Sequence, residues 1–330
     1  MEQLRLVAPG HLQLEEQTVP EPGPGHVVLE VAAAGICGSD LYGYRGVNDR
    51  RAPGTVMGHE VSGVVRTLGP GVADDWLDRP VVVNPVLGCG RCARCRAGQA
   101  QLCPDKALIG CGPAHPGGFA TALLVPVTAL VAWSGPAPLL WGPLAEPLAV
   151  GVEAAERIPL EGREVLIVGS GPVAVATGWA AQRRGASVTV TETDPRRRDL
   201  LRSLGLPTLP YGVAPRRRPE AVVDCVATDD SLAFALRNVV LGGDVVVVGL
   251  GAPVAAVPVE LLVQGRLGLL GSAQYSAAAF ADAAAWAASG RLDLSPILGP
   301  PCALREGPTV FEDWDDDPAR PLRTLLVPLR

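Results

Sequence analysis

Short apolar runs separated by turn signals fill the first third of the chain. Residues 27–32 and 61–68 are rich in valine and bounded by Pro-Gly or Gly-Pro pairs, and residues 79–83 form a third run of β type. The preceding Pro20-Glu21-Pro22-Gly23-Pro24-Gly25 has too few backbone donors for a sheet interior and reads as a loop. This grammar predicts an irregular all-β region, folded as a barrel or sandwich. It changes near Glu146-Pro147. From there to about residue 273, helical patterns alternate with short apolar runs at 164–168, 187–191, 221–226 and 245–249. Strands apolar on both faces and spaced by helices predict a parallel, doubly wound sheet. A helical pattern at 277–289 and a strand at 322–327 close the chain.

The simplest organisation is a β domain interrupted by an inserted α/β domain: residues 1–147 and 274–330 form the first, residues 148–273 the second. The cleft between them is the expected active site. A length of 330 residues accommodates both, and 48% apolar with 19% charged residues suits well-filled cores rather than disorder. The net charge of −6 comes with no basic block able to follow a phosphate backbone, so no nucleic-acid partner is expected. Met1-Glu2-Gln3-Leu4-Arg5 lacks the apolar segment of a signal peptide, and no apolar run approaches the roughly 18 residues of a spanning helix. A cytoplasmic protein without membrane partners is expected.

Against that frame the polar residues of 37–60 stand out. Gly35-Ile36-Cys37-Gly38-Ser39-Asp40 and Gly58-His59-Glu60 supply a thiolate, an imidazole and a carboxylate, the ligand types zinc accepts, with the Ser39 hydroxyl close by. Three protein ligands leave a fourth position open, as catalytic zinc requires. A second cluster, Cys89-x2-Cys92-x2-Cys95-x7-Cys103, can close on one tetrahedral ion and saturate it, so this zinc is structural. Free or disulfide-linked thiols and an iron–sulfur cluster are the alternatives for four such cysteines. Cys111, Cys225 and Cys302 match no ligand spacing and are expected as small buried hydrophobes.

The third signal follows the strand at 164–168. Gly169-Ser-Gly171-Pro172-Val173-Ala174 is Gly-x-Gly-x-x-Ala, placed between a strand and an apolar helix. The glycines permit a tight turn and the close approach of a pyrophosphate, and the helix N-terminus offers N–H groups to the phosphates. Glu192 ends the next strand, about 20 residues on, where an acid binds the adenosine ribose. Its charge opposes a 2′-phosphate and favours NAD. The run Arg196-Arg197-Arg198 leaves NADP possible, since Arg197 could pair with such a phosphate.

Together with Gly117-Gly118-Phe119-Ala120 and Glu146-Pro147-Leu148-Ala149-Val150, these motifs resemble, in order and over essentially the whole chain, the zinc-containing alcohol dehydrogenases of the medium-chain dehydrogenase/reductase family. The likeness is strongest to the polyol and secondary-alcohol branch. It implies a GroES-like catalytic domain joined to a Rossmann domain. Cys37 and His59 would ligate the catalytic zinc, Glu60 would be a third ligand or alternate with water, and Glu146 would ligate the ion directly or hold its water. Ser39 would take the hydroxyl proton while a hydride passes to the nicotinamide. The implied substrate is a small hydroxylated molecule such as a polyol, amino alcohol or aminocyclitol, and the implied assembly a homodimer or homotetramer. Reduction of an imine or activated alkene, or a catalytically silent NAD(P)-binding role, are the alternatives.

Two positions depart from the family pattern. Tyr42 stands where many relatives carry the histidine that ends the proton relay, and a phenol is a poor base near neutral pH. The relay then ends in water, or Tyr42 only packs. Glu153 replaces a second common histidine and is expected on a solvated helix face.

Overall fold

The computed structural model describes residues 1–47, 51–315 and 320–328. It separates into two compact units, Met1–Glu146 with Ser276–Arg330, and Pro147–Tyr275.

The first unit is built on a seven-stranded sheet in the order Cys302–Ala303, Leu325–Val327, His26–Gly35, Glu60–Leu68, Pro80–Val83 and Leu130–Ala132, with Ala122–Pro126 also paired to His26–Gly35. His26–Gly35 is the hub. Its alternate residues Val27, Leu29 and Val31 share one face and pack with Val61, Val65, Val81, Val83 and Leu123. Each such side chain contributes roughly 1.5–3 kcal/mol by leaving water. Past the end of that strand, Ile36 and Leu41 join a second cluster with Met57, Phe119 and Phe311. An amino-terminal hairpin, Glu2–Ala8 with His11–Glu16, adds Leu4 and Leu6 to it.

The register between the two central strands places the candidate site. His26–Gly35 and Glu60–Leu68 are antiparallel, and Gly35 pairs with Glu60. The residues just past one strand, through Cys37, therefore lie beside those just before the other, Gly58 and His59. Pairing closes the sequence gap between the motifs. Beyond Cys37 the chain turns into the helix Gly38–Tyr44, with Cys37 as N-cap and the Asp40 carboxylate accepting from the Cys37 N–H at 3.0 Å.

The second unit is a six-stranded sheet with every pair parallel. Its order is Thr208–Pro210, Ser187–Glu192, Glu164–Val168, Ala221–Asp224, Asp244–Val247, Gly268–Gly271. Counted along the chain this is 3-2-1-4-5-6, the Rossmann arrangement, whose ligands bind where the strand order reverses. The reversal falls at Glu164–Val168, the strand leading into Gly169. The central strands Glu164–Val168 and Ala221–Asp224 are almost wholly buried because helices such as Pro172–Arg183 and Asp229–Asn238 pack against the sheet.

Among the described residues no helix is long and apolar enough to cross a membrane. Cys111, Cys225 and Cys302 are half-buried rather than fully enclosed. Glu153 is half-buried on the helix Ala145–Glu156, not on a freely solvated face.

Candidate functional site

Cys37, His59 and Glu60 converge: one ligand atom from each lies within 4.8 Å of the others. Glu146, in the first turn of the helix Ala145–Glu156, falls outside that trio, but its charge acts on Glu60 and Arg323. Glu60 is fully buried. Burial drives its carboxyl well above the ordinary value, against the pull of Arg323, while Cys37 and Glu146 add to the rise. Arg323 Nη2 stands 3.1 Å from Glu60 Oε1, close enough for an ion pair, yet neither carboxylate oxygen is aligned with a hydrogen-bond donor. A buried carboxylate with two unsatisfied oxygens is costly unless a cation completes it.

The thiol is prepared for such a cation. Burial pushes Cys37 up, but a hydrogen bond and charge from His59, and then the charge of Arg323, outweigh it and hold the thiol at about 5. These charges favour the thiolate, the form that binds metal. The His59 ring lies 3.4 Å from Asp40 at Nδ1. Asp40 itself is fully buried and held at about 2, because the Arg51 charge and then His59 overcome the effect of burial. A carboxylate beside the outer nitrogen fixes the ring and leaves the other nitrogen for a ligand. Thiolate, imidazole and carboxylate aimed at one point fit a zinc ion with an open position.

The four cysteines also meet within 4.8 Å. Cys89 Sγ and Cys95 Sγ are 4.0 Å apart, the Cys95 N–H donates to Cys92 Sγ at 3.4 Å, and the Cys89 N–H donates to Cys103 Sγ at 3.4 Å. The backbone N–H groups of Arg91 and Cys92 draw the Cys89 thiol down to about 6. Four sulfurs in this packing, with N–H groups aimed at them, fit a saturated tetrahedral ion.

In the second unit, Gly169 takes φ +103°, which turns the chain sharply at the strand end, and Gly171 caps the helix Pro172–Arg183 with Pro172 in its first turn. A Cβ at Gly171 would meet nothing within 4 Å, so the space over Gly171 at the helix N-terminus is free for a phosphate. Glu192 ends its strand as expected. Its carboxylate accepts from Thr193 Oγ1 and from the Asp194 N–H, each at 2.8 Å. Burial works against ionisation of Glu192, but bonds from Ser170, Asp194 and Thr193 and the Arg197 charge hold it below its ordinary range. Arg197 Nη1 donates to Ser170 Oγ at 3.5 Å, whereas Arg198 is bound to the Glu192 and Thr193 carbonyls. A groove of about 250 Å³ opens here, lined among others by Gly169, Glu192, Tyr211, Thr228 and Asp230.

Sequence reasoning missed Arg51, Arg323 and Tyr211. Asp40 sat inside a quoted motif without a role. Arg51 and Arg323 are 4% exposed, and buried arginines are rare without a charged partner. Their signal would have been the unmatched carboxylates Asp40 and Glu60.

Comparison with known proteins extends these observations to the whole chain. Residues 23–135 match the alcohol dehydrogenase GroES-like domain. Over 314 residues, 90% of each chain, the sequence is 31% identical to 2-dehydro-3-deoxy-L-galactonate 5-dehydrogenase of Pseudoalteromonas atlantica. It is 30% identical over 254 residues to L-galactonate-5-dehydrogenase of Escherichia coli, 73% of this chain and 74% of that one. Among solved structures, the alcohol dehydrogenase TADH from Thermus sp. ATN1 superimposes over 100% of both chains with a TM-score of 0.89 and 28% identity.

Proposed function

The chain belongs to the zinc-containing alcohol dehydrogenase family, and from that premise we propose that it oxidises a secondary hydroxyl, on a polyol or sugar acid or on an amino alcohol or aminocyclitol, with NAD as hydride acceptor. The observation that carries the reading is the convergence of Cys37, His59 and Glu60 with the Ser39 hydroxyl on the adjoining helix turn. Sugar-acid dehydrogenases among the relatives support the substrate class.

Cys37 and His59 would hold a catalytic zinc, Glu60 would complete it, and Glu146 would act on it through charge or water; Cys89, Cys92, Cys95 and Cys103 would hold a structural one. Zinc, when bound, supplies Lewis acidity that makes a substrate hydroxyl easier to deprotonate near neutral pH. The rest falls to the protein. Cys37 and Asp40 set the charge and orientation of the centre, and Ser39 offers an oxygen to the leaving proton. Gly169, Gly171, Pro172 and Val173 would receive the pyrophosphate, and Glu192 the ribose hydroxyls. Glu192 favours NAD over NADP because a second anion beside it would be repelled. Arg197, already engaged by Ser170 and Glu192, only moderates that preference.

Purified protein reconstituted with zinc, screened with NAD and NADP against polyols, sugar acids, hydroxy amino acids and aminocyclitols, tests this. The expected result is alcohol-dependent formation of reduced nicotinamide, faster with NAD. Turnover only of reduced cofactor with an imine or activated alkene would replace the reading with a repurposed reductase. Cofactor binding without any turnover would make the chain a silent binding protein.

A further inference from the structure

A proton accepted by Ser39 has to be passed on, and Tyr42 stands where a relay histidine is common. Among the described residues Ser39 is held by a different group. Arg51 Nη2 donates to Ser39 Oγ at 2.9 Å. The same guanidinium gives Nε to Asp40 Oδ1 at 2.8 Å and brings Nη2 within 3.3 Å of His59 Nδ1. It is enclosed, with its side chain 3% exposed and that of Asp40 0%. The helix makes room for it at Gly43, where an added Cβ would lie 2.4 Å from Arg51 Cδ.

This arrangement has a direction. A guanidinium carries only donors, so the Ser39 lone pair it fills is no longer available and the serine hydrogen cannot turn toward it. Ser39 keeps one acceptor site and one O–H, both facing away from Arg51. That is the pattern of a group that takes one proton while releasing another. Asp40, an acceptor on the other arm of the planar fork, fixes the arm that reaches Ser39. A buried positive charge at this point also favours negative charge developing on the oxygen as the substrate O–H breaks.

We propose that Arg51 is the positioning residue of the proton path, orienting the Ser39 hydroxyl in place of a relay histidine. It rests on the dehydrogenase reading above. In the step, the substrate O–H breaks and its proton goes to Ser39 Oγ. The serine's own proton leaves to water or a cofactor hydroxyl, the C–H electron pair leaves as hydride to the nicotinamide, and Arg51 keeps every proton.

The test is a double-mutant cycle on the full-length, zinc-loaded protein with Arg51→Gln, Arg51→Lys and Ser39→Ala, using the alcohol that turns over fastest in the screen above. Arg51→Gln is expected to lower kcat roughly 10- to 100-fold. Substrate KM, zinc per chain and NADH affinity by fluorescence titration should hold, and the solvent deuterium isotope effect on kcat should rise. In the Ser39→Ala background the same change should cost less than about twofold, because the group it positions is gone. Arg51→Lys keeps a cation beside Asp40 without the fork, so it should fold, hold zinc and show the same loss; it carries the cycle if Arg51→Gln does not fold. Equal losses with and without Ser39, or a kcat that falls only in step with zinc or NADH binding, would make Arg51 a structural partner of Asp40 and overturn the proposal. If the unmodified protein turns over no alcohol in the screen, the dehydrogenase reading has failed first, and this proposal falls with it.

Discussion

Cys37, His59 and Glu60 reach one point because two long strands pair at Gly35 and Glu60, whereas Cys89, Cys92, Cys95 and Cys103 reach theirs within one short segment of turns. The first set is packed beside a core, with Ile36 and Met57 at 0% exposure. The second has three half-buried cysteines and is supported by the two-residue strand Val86–Leu87 and a one-turn helix, Ala93–Arg96. One centre is shaped by the fold before any ion binds. The other has little packing of its own, so that an ion bound there would supply what packing does not. Each carries its own signature of charge: two buried arginines and two buried carboxylates around the first, backbone N–H groups around the second.

Substitutions should separate the two. Cys37→Ser is expected to lower alcohol-dependent NADH formation by about 10³-fold or more, the several kcal/mol that Lewis acidity supplies. Metal analysis should show the four-cysteine ion retained. Turnover within a few-fold of the unmodified protein would break the comparison at its first term. Arg323→Met should destabilise the metal-free protein by about 3 kcal/mol, because it leaves the buried Glu60 carboxyl without its neighbouring charge and the Ile36 carbonyl without a donor. Urea unfolding measures this, and a change under about 1 kcal/mol would mean that both groups find other partners.

Cys92→Ser should act on stability more than on chemistry. A loss of roughly 3 kcal/mol, with proteolytic cuts confined to residues 89–103, is expected, while kcat in the surviving protein holds. Loss of kcat in proportion to lobe zinc would show the two centres to be coupled. The smallest effect concerns acid. Asp40 is held at about 2 against an ordinary 3.8, so its contribution is complete above about pH 4 and disappears as pH falls through about 2. It amounts to about 2 kcal/mol. Asp40→Asn should flatten the dependence of unfolding free energy on pH in that window, and an unchanged slope would assign it to other carboxylates.

What could be read from the sequence follows the same division. The four cysteines are a local pattern, and their spacing alone implied the cluster that the structure forms. Four of the six strands of the second unit were legible, the central ones because burial on both faces leaves apolar runs such as Glu164–Val168. The amino-terminal hairpin was not: Gln3 and Arg5 alternate with Leu4 and Leu6, and the strand is short of valine. Gly268–Gly271, an edge strand of two leucines between glycines, gave too little pattern to assign. At the first centre, the candidate ligands could be found as motifs, but the charges that act on them could not. Arg323 donates to the Ile36 carbonyl from 287 residues away, a pairing that only the strand Leu325–Val327, returning beside His26–Gly35, brings about. Arg51 belonged to none of the motifs, and its burial depends on the gap at Gly43.

The most direct test of the account is diffraction at the zinc absorption edge from crystals of the zinc-loaded chain that first show alcohol-dependent NADH formation. The account expects two anomalous peaks per chain, one bounded by Cys37, His59 and Glu60 and one by the four cysteines. A crystal that turns over alcohol with a peak at the four cysteines alone would contradict it.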